Sequence, residues 1–152
     1  MKSRVLLLLF LLVIVASCKK KHQPAMVGNY MIIGHNGGFV TINEPYYLLT
    51  TSQLLKDTTQ YWGKVPDDIS KFHFNVVESS AKYDSVKSIL NVIPNELFGV
   101  NHASIGSTFP DVGYEDVRTS ANGVLYQWYF QSDQSNSSAQ IRQFINTIYS
   151  DF

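Results

Sequence analysis

A chain of 152 residues, 45% hydrophobic and 16% charged, supplies one domain's worth of sequence with an ordinary core. The formal charge of zero conceals an asymmetry. Five of the twelve basic residues (Lys2, Arg4, Lys19, Lys20 and Lys21) precede residue 22, which leaves seven against twelve acidic residues in the remainder. So acidic a domain argues against a nucleic-acid partner, because such binders carry a basic patch. The single cysteine excludes an internal disulfide.

Lys2 and Arg4 precede an unbroken apolar run at 5–15, followed by the small residues Ala16 and Ser17 and then by Cys18. Such a run has the length of a secretory h-region and falls short of the roughly twenty apolar residues that span a bilayer. The junction Val15-Ala16-Ser17-Cys18 resembles the lipobox of bacterial lipoproteins. That resemblance implies a signal peptide at 1–17 and a mature chain beginning at Cys18, acylated on its thiol and on the new amino terminus. A lone exported cysteine can also be a free thiol, half of an intermolecular disulfide or a buried apolar residue, but its position after the run favours acylation. Each buried methylene contributes about 0.8 kcal/mol, one chain binds only marginally, and two or more anchor stably. The membrane is therefore an expected partner through acylated Cys18, and the location is the cell membrane or outer membrane, outside the cytoplasm. Residues 18–26 read as a flexible tether, whose three lysines can also lie against anionic headgroups at about 1 kcal/mol each. Lys19, where enteric-type lipoproteins retained in the inner membrane carry aspartate, resembles the outer-membrane pattern.

Residues 27–152 are expected to form a single α+β domain. It is read as an antiparallel sheet of hairpins packed by a central helix and a C-terminal amphipathic helix. Strands are predicted at 29–33 and 39–42, joined through Asn36-Gly37 as a type I′ turn. That register sets Ile33 opposite Val40 and Met31 opposite Ile42. Further strands are expected at 46–50 and 52–56, punctuated by Pro45. The stretch 65–77 reads two ways: Pro66-Asp67-Asp68 opens a short helix, while Phe72, Phe74 and Val76 alternate as on a strand. Val86, Ile89, Leu90 and Ile93 fall on one helical stripe and predict a helix over 84–93. Pro94 ends or kinks it, and Gly99 closes a turn at 95–98.

The strongest local signal is Asn122-Gly123 between 114–121 and 124–131, a hairpin that pairs Val117 with Trp128, Thr119 with Tyr126 and Ala121 with Val124. With Phe130 these build an aromatic core face. Asp116, Arg118, Gln127, Tyr129 and Gln131 fall on the other face, expected to be wetted. After a polar loop at 132–138, Ile141, Phe144, Ile145, Ile148, Tyr149 and Phe152 form the apolar stripe of a final helix over 138–152. Ser137 with Gln140 fits a capping box at its start.

Chemistry-bearing motifs are sparse. His22, His35, His73 and His102 are widely spaced, with no second ligand at metal spacing, so neither a metal nor a cofactor is expected. Glu115 and Asp116 are strand neighbours that point to opposite faces, which argues against a glycosidase-type pair. Asp67 and Asp68 read as solvated or helix-start charges, and the serines and threonines lack a nucleophile elbow. The leading expectation is a non-catalytic binding or structural module of the cell envelope, with an envelope protein as its partner. An enzyme built on scattered groups such as His73, Asp111 and Arg118 is the alternative from residues alone.

Gly37-Gly38-Phe39 in the first hairpin, a central helix, a Tyr/Trp-rich hairpin and a C-terminal helix resemble small bacterial lipoproteins of unknown function. More faintly, the order resembles emfourin-type inhibitors of thermolysin-like metalloproteases. The small residue that follows the motif in that family is absent here, Val40-Thr41 standing in its place. The resemblance implies protease inhibition, with His35, Asn36, Gly37, Gly38 and Phe39 as a partner-contact loop. The glycines also serve a turn without any partner.

Overall fold

In the computed structural model, residues 29–36, 44–59, 61, 65–107 and 113–152 are described. Its central strand, β1 (Tyr30–Asn36), is paired along both edges. On one side the chain meanders outward through β2 (Tyr46–Thr50), β3 (Leu54–Asp57) and β4 (Phe74–Val77). Then come α1 (Ser80–Val86), 3₁₀ segments at Lys87–Asn91 and Asn95–Gly99, and β5 (Ala103–Ile105). The hairpin β6 (Tyr114–Ala121) and β7 (Val124–Gln131) follows, and α2 (Ala139–Asp151) ends the fold. Among the described residues seven strands lie in the order β4-β3-β2-β1-β6-β7-β5. Of these, only β5 runs parallel to its neighbour, β7. The expected α+β architecture, an antiparallel sheet packed by a central and a C-terminal helix, is the one observed.

The β6–β7 hairpin has the register read from the sequence, Val117 opposite Trp128, Thr119 opposite Tyr126 and Ala121 opposite Val124. Asn122 and Gly123 turn it with φ of 52° and 77°, the positive values a type I′ turn requires. The first expected hairpin does not form as predicted. Met31 lies between Leu49 and Thr119, and Ile33 between Tyr47 and Val117, so neither is free to face Ile42 or Val40. Residues 37–43 lie outside the described residues. Asn36 is a strand residue rather than a turn residue, and Gly34 lies inside the strand beneath Tyr46. A Cβ at Gly34 would stand 2.4 Å from the Tyr46 ring.

One face of the sheet carries the main core. Met31, Ile33, Leu49, Leu54, Val117, Trp128 and Phe130 meet Val86 of α1, Ile89 and Leu97 of the 3₁₀ turns, and Ile141, Phe144, Ile145 and Ile148 of α2. Each such burial contributes about 1.5–3 kcal/mol. Trp128 Nε1 donates to the carbonyls of Leu97 and Val100 at 3.0 and 2.8 Å, which ties the 3₁₀ turn to the sheet. The predicted helix over 84–93 is corrected. Ser79 caps α1 by accepting from the Lys82 amide, and the chain tightens to 3₁₀ after Val86, which brings Ile89 into the core. The cap of α2 is Ser138, one residue later than expected, with Oγ accepting from Ile141 N.

The other face was expected to be wet and is not. Tyr30, Ile32, Tyr46, Leu48, Leu55, Phe72 and Phe74 form a second core, flanked by Tyr61, Val65 and Ile69. Both readings of 65–77 are realised in succession: a 3₁₀ turn at Ile69–Lys71, which Asp68 caps by accepting from Ser70 N, and then strand β4. Asp116, Arg118, Gln127 and Gln131 are buried beneath this cover, because their polar atoms find partners. Arg118 grips Asp116 through Nε and Nη2, the latter at 2.6 Å, and donates from Nη1 to the Pro66 carbonyl at 2.7 Å. Gln127 Nε2 donates to Asp116 Oδ1 at 3.0 Å. Among the described residues, no helix is long and apolar enough to cross a membrane.

Candidate functional site

At the end of β1 the sheet places a polar pair on the helix-covered face. Residues 31, 33 and 35 share that face by strand alternation, as do 115 and 117 on β6, and His35 lies directly opposite Glu115. His35 Nδ1 and Glu115 Oε1 are 2.7 Å apart, with side-chain exposures of 29% and 8%. With Nδ1–H donating to the carboxylate, the ring orientation is fixed and Nε2 has no hydrogen-bond partner among the described residues. The hydrogen bond to Glu115 raises the His35 pKa above 6.5. Burial opposes the rise, while the charges of Glu115 and Glu44 add to it. The next residue is fastened to the same strand, Asn36 Nδ2 donating to Tyr114 Oη at 2.7 Å.

The pair lies in a cleft of about 280 Å³ between the strand ends and the last turn of α2. Its walls are Pro45 and Tyr47 at the start of β2, and Ile148, Tyr149 and Phe152 at the end of the helix, with Glu44 at the rim. The Tyr47 and Phe152 rings meet at 5.2 Å between centroids. Burial raises the Tyr149 hydroxyl above its ordinary value, and the Glu115 charge adds to the effect. A larger groove of about 460 Å³ runs between α2 and the Pro94 turn. Its lining of amides, hydroxyls and apolar groups, such as Gln140, Gln143, Thr147 and Ile93, contains no ionisable side chain. The cleft at His35, by contrast, is lined by ionisable groups and can discriminate charge.

Of the residues singled out from the sequence, His35 and Asn36 stand at this cleft, while Cys18, Gly37, Gly38, Phe39 and Asp111 lie outside the described residues. His73 and Arg118 play separate structural parts. The His73 side chain is exposed, and its amide donates to the buried Asp57 carboxylate at 2.7 Å. Arg118 is sealed under the second core, its guanidinium 5.2 Å from the Phe72 ring centroid. Glu115 and Asp116 do point to opposite faces, one to His35 and the other to Arg118. Sequence reading missed Glu115 as a site residue. Its signal was a charged residue at a core-face position two before Val117, but its partner stands 80 residues away. Among the described residues, no three His, Cys, Asp or Glu side chains gather as a metal site would require.

Comparison with protein-family models, with curated proteins and with solved structures found no match for this chain.

Proposed function

We propose that this protein is a lipid-anchored binding module of the bacterial cell envelope. Acylated Cys18 holds it at the membrane, and it contacts an envelope protein through His35, Asn36 and the Gly37-Gly38-Phe39 segment that follows them in the chain. The anchor is supported by the apolar run and the small residues directly before the only cysteine. The contact site is supported above all by the double fastening of the last two residues of β1 to β6 at 2.7 Å each, beside an aromatic-walled cleft. A binding segment is effective when a rigid element fixes its root, and β1 is paired along both edges.

Two measurements test this reading. Cys18→Ala should abolish labelling by a fatty-acid probe and shift the protein out of the detergent phase. Normal processing and detergent partitioning of that variant would refute the anchor. Capture of partners from envelope extract by the detergent-solubilised protein should be lost in both His35→Ala and Phe39→Ala. A captured set unchanged by either substitution would refute the contact site, and a captured protease inhibited by the wild type would specify the partner as the emfourin resemblance suggests.

A second reading, an envelope enzyme, is favoured by one observation: a histidine oriented by a buried carboxylate in a cleft is the arrangement of a general base. On that reading, turnover of a small substrate would vanish in His35→Ala with the fold intact.

A further inference from the structure

The lining of the His35–Glu115 cleft is one-sided in charge. The ionisable groups facing His35 are Glu115 of β6, Glu44 and Tyr47 around the start of β2, and Tyr149 of α2; no lysine or arginine is among the described lining residues. Glu115 is almost fully buried, and only its Oε1 is engaged, by His35. Its second carboxylate oxygen is not buried and has no hydrogen-bond partner among the described residues. An anionic ligand would meet carboxylates here. A neutral apolar one would strip water from that oxygen and return nothing, at a cost of about 1–3 kcal/mol. A cation repays the desolvation and gains a charge-assisted hydrogen bond. When His35 is protonated, Glu44 is the carboxylate of the described lining that it does not pair with, and when it is neutral the described lining carries both carboxylates and no cation.

The aromatic walls are suited to the same ligand. Tyrosine and phenylalanine faces attract ammonium and guanidinium groups, and this wall already takes one from within the protein. Lys82 Nζ lies 4.2 Å from the Tyr47 ring centroid and 6.0 Å from that of Phe152. Lys82 does not line the cleft itself, so its ammonium leaves the volume beside Tyr149 and Glu115 open. A space of about 280 Å³ suits one side chain or a small amine rather than a large metabolite.

We propose that the cleft binds a protonated amine or guanidinium group on an apolar stem, seated on Glu115 and flanked by Tyr149 and Phe152. The source is a lysine or arginine side chain of a protein partner, or a free alkylamine. The inference rests on the binding-module reading and names what that module recognises.

The test uses the full mature protein in zwitterionic micelles and three probes: Nα-acetyl-lysine methylamide, its ammonium-free counterpart Nα-acetyl-norleucine methylamide, and n-butylamine. The lysine probe should bind about tenfold or more tighter than the norleucine probe, the ratio one charge-assisted hydrogen bond supplies. Glu115→Gln should remove that advantage and leave norleucine binding unchanged. Tyr149→Lys, at a half-exposed helix position, places a competing cation at the wall, and it should block the lysine probe even if Glu115→Gln fails to fold. Butylamine binding as tightly as the lysine probe would identify a free amine as the ligand, and weaker butylamine binding a peptide side chain. Equal binding of the lysine and norleucine probes, or lysine binding that survives Tyr149→Lys, would overturn the proposal. If the lysine probe fails while His35→Ala still abolishes partner capture, only the cation assignment falls; if both fail, the binding-module reading falls too.

Discussion

Tyr46 carries the one buried side-chain polar atom without a partner among the described residues, its phenolic oxygen. The ring is indispensable: it covers Gly34 and packs at 5.0 Å against Phe72 and 6.0 Å against Tyr61. Burial drives the hydroxyl pKa upward, with the Asp116 charge adding to it, so the group stays neutral and contributes only its desolvation cost. Tyr46→Phe keeps the ring and removes the orphaned oxygen. It should raise stability by about 1 kcal/mol, read as a higher urea midpoint, and a loss of that size would show that the hydroxyl has a partner. The His35–Glu115 pair makes a different prediction, in pH. A histidine whose folded pKa lies above 6.5 contributes stability that is fully present below 6.5 and lost as pH rises through the folded value. The gap in unfolding free energy between wild type and Glu115→Gln, read from urea titrations, should therefore be widest near pH 6, at about 1–2 kcal/mol, and should narrow by pH 9. A gap that widens with pH would mean that the pair does not stabilise the imidazolium.

At the scale of elements, α2 separates what a sequence pattern can decide from what it cannot. Its apolar stripe was plain, but the sequence pattern pointed to Ser137 as the cap, and the backbone makes it Ser138. Ser138, extended with ψ of 160°, accepts from Ile141 N, whereas Ser137 donates to Gln134 Oε1 at 2.7 Å. Ser138→Ala should cost about 1 kcal/mol, with Ser137→Ala costing less; the reverse order would return the cap to Ser137. The same division runs through the strands. Asn122-Gly123 specifies its hairpin alone, because both turn residues need positive φ and the strands that pair are adjacent in sequence. Asn36-Gly37 looked equivalent, yet β1 pairs with β2 and with a strand some eighty residues distant, and such pairing leaves no local trace. The site was half legible for that reason: His35 and Asn36 could be singled out, whereas Glu115, Tyr149 and Phe152 became its walls only through long-range packing. The second face failed differently. Asp116 and Arg118 read as solvent-facing by type, but they are buried because they satisfy one another and the Pro66 carbonyl.

For the whole molecule, β1 divides the sheet and joins both cores. Met31 and Ile33 belong to the core beneath the helices, and Tyr30 and Ile32 to the core on the opposite face. Both neighbours of β1 depend on it for pairing: the β2–β3–β4 meander on one side, the β6–β7 hairpin on the other. The boundary of the domain near residue 27 is therefore sharply testable. Removing residues 1–26 leaves all of β1 in place and should leave the thermal midpoint of the remaining chain unchanged. Removing residues 1–33 deletes four buried side chains, each contributing about 1.5–3 kcal/mol. Their sum is comparable with the 5–15 kcal/mol by which a whole domain is typically stable. It also leaves all of β2, and residues 117–120 of β6, without the partners that β1 gives them. The shorter chain should show no cooperative thermal transition and no near-ultraviolet signal from Trp128. If it unfolds cooperatively, the two halves of the sheet are stable without their shared strand. If the 1–26 deletion lowers the midpoint, the domain begins earlier than residue 27.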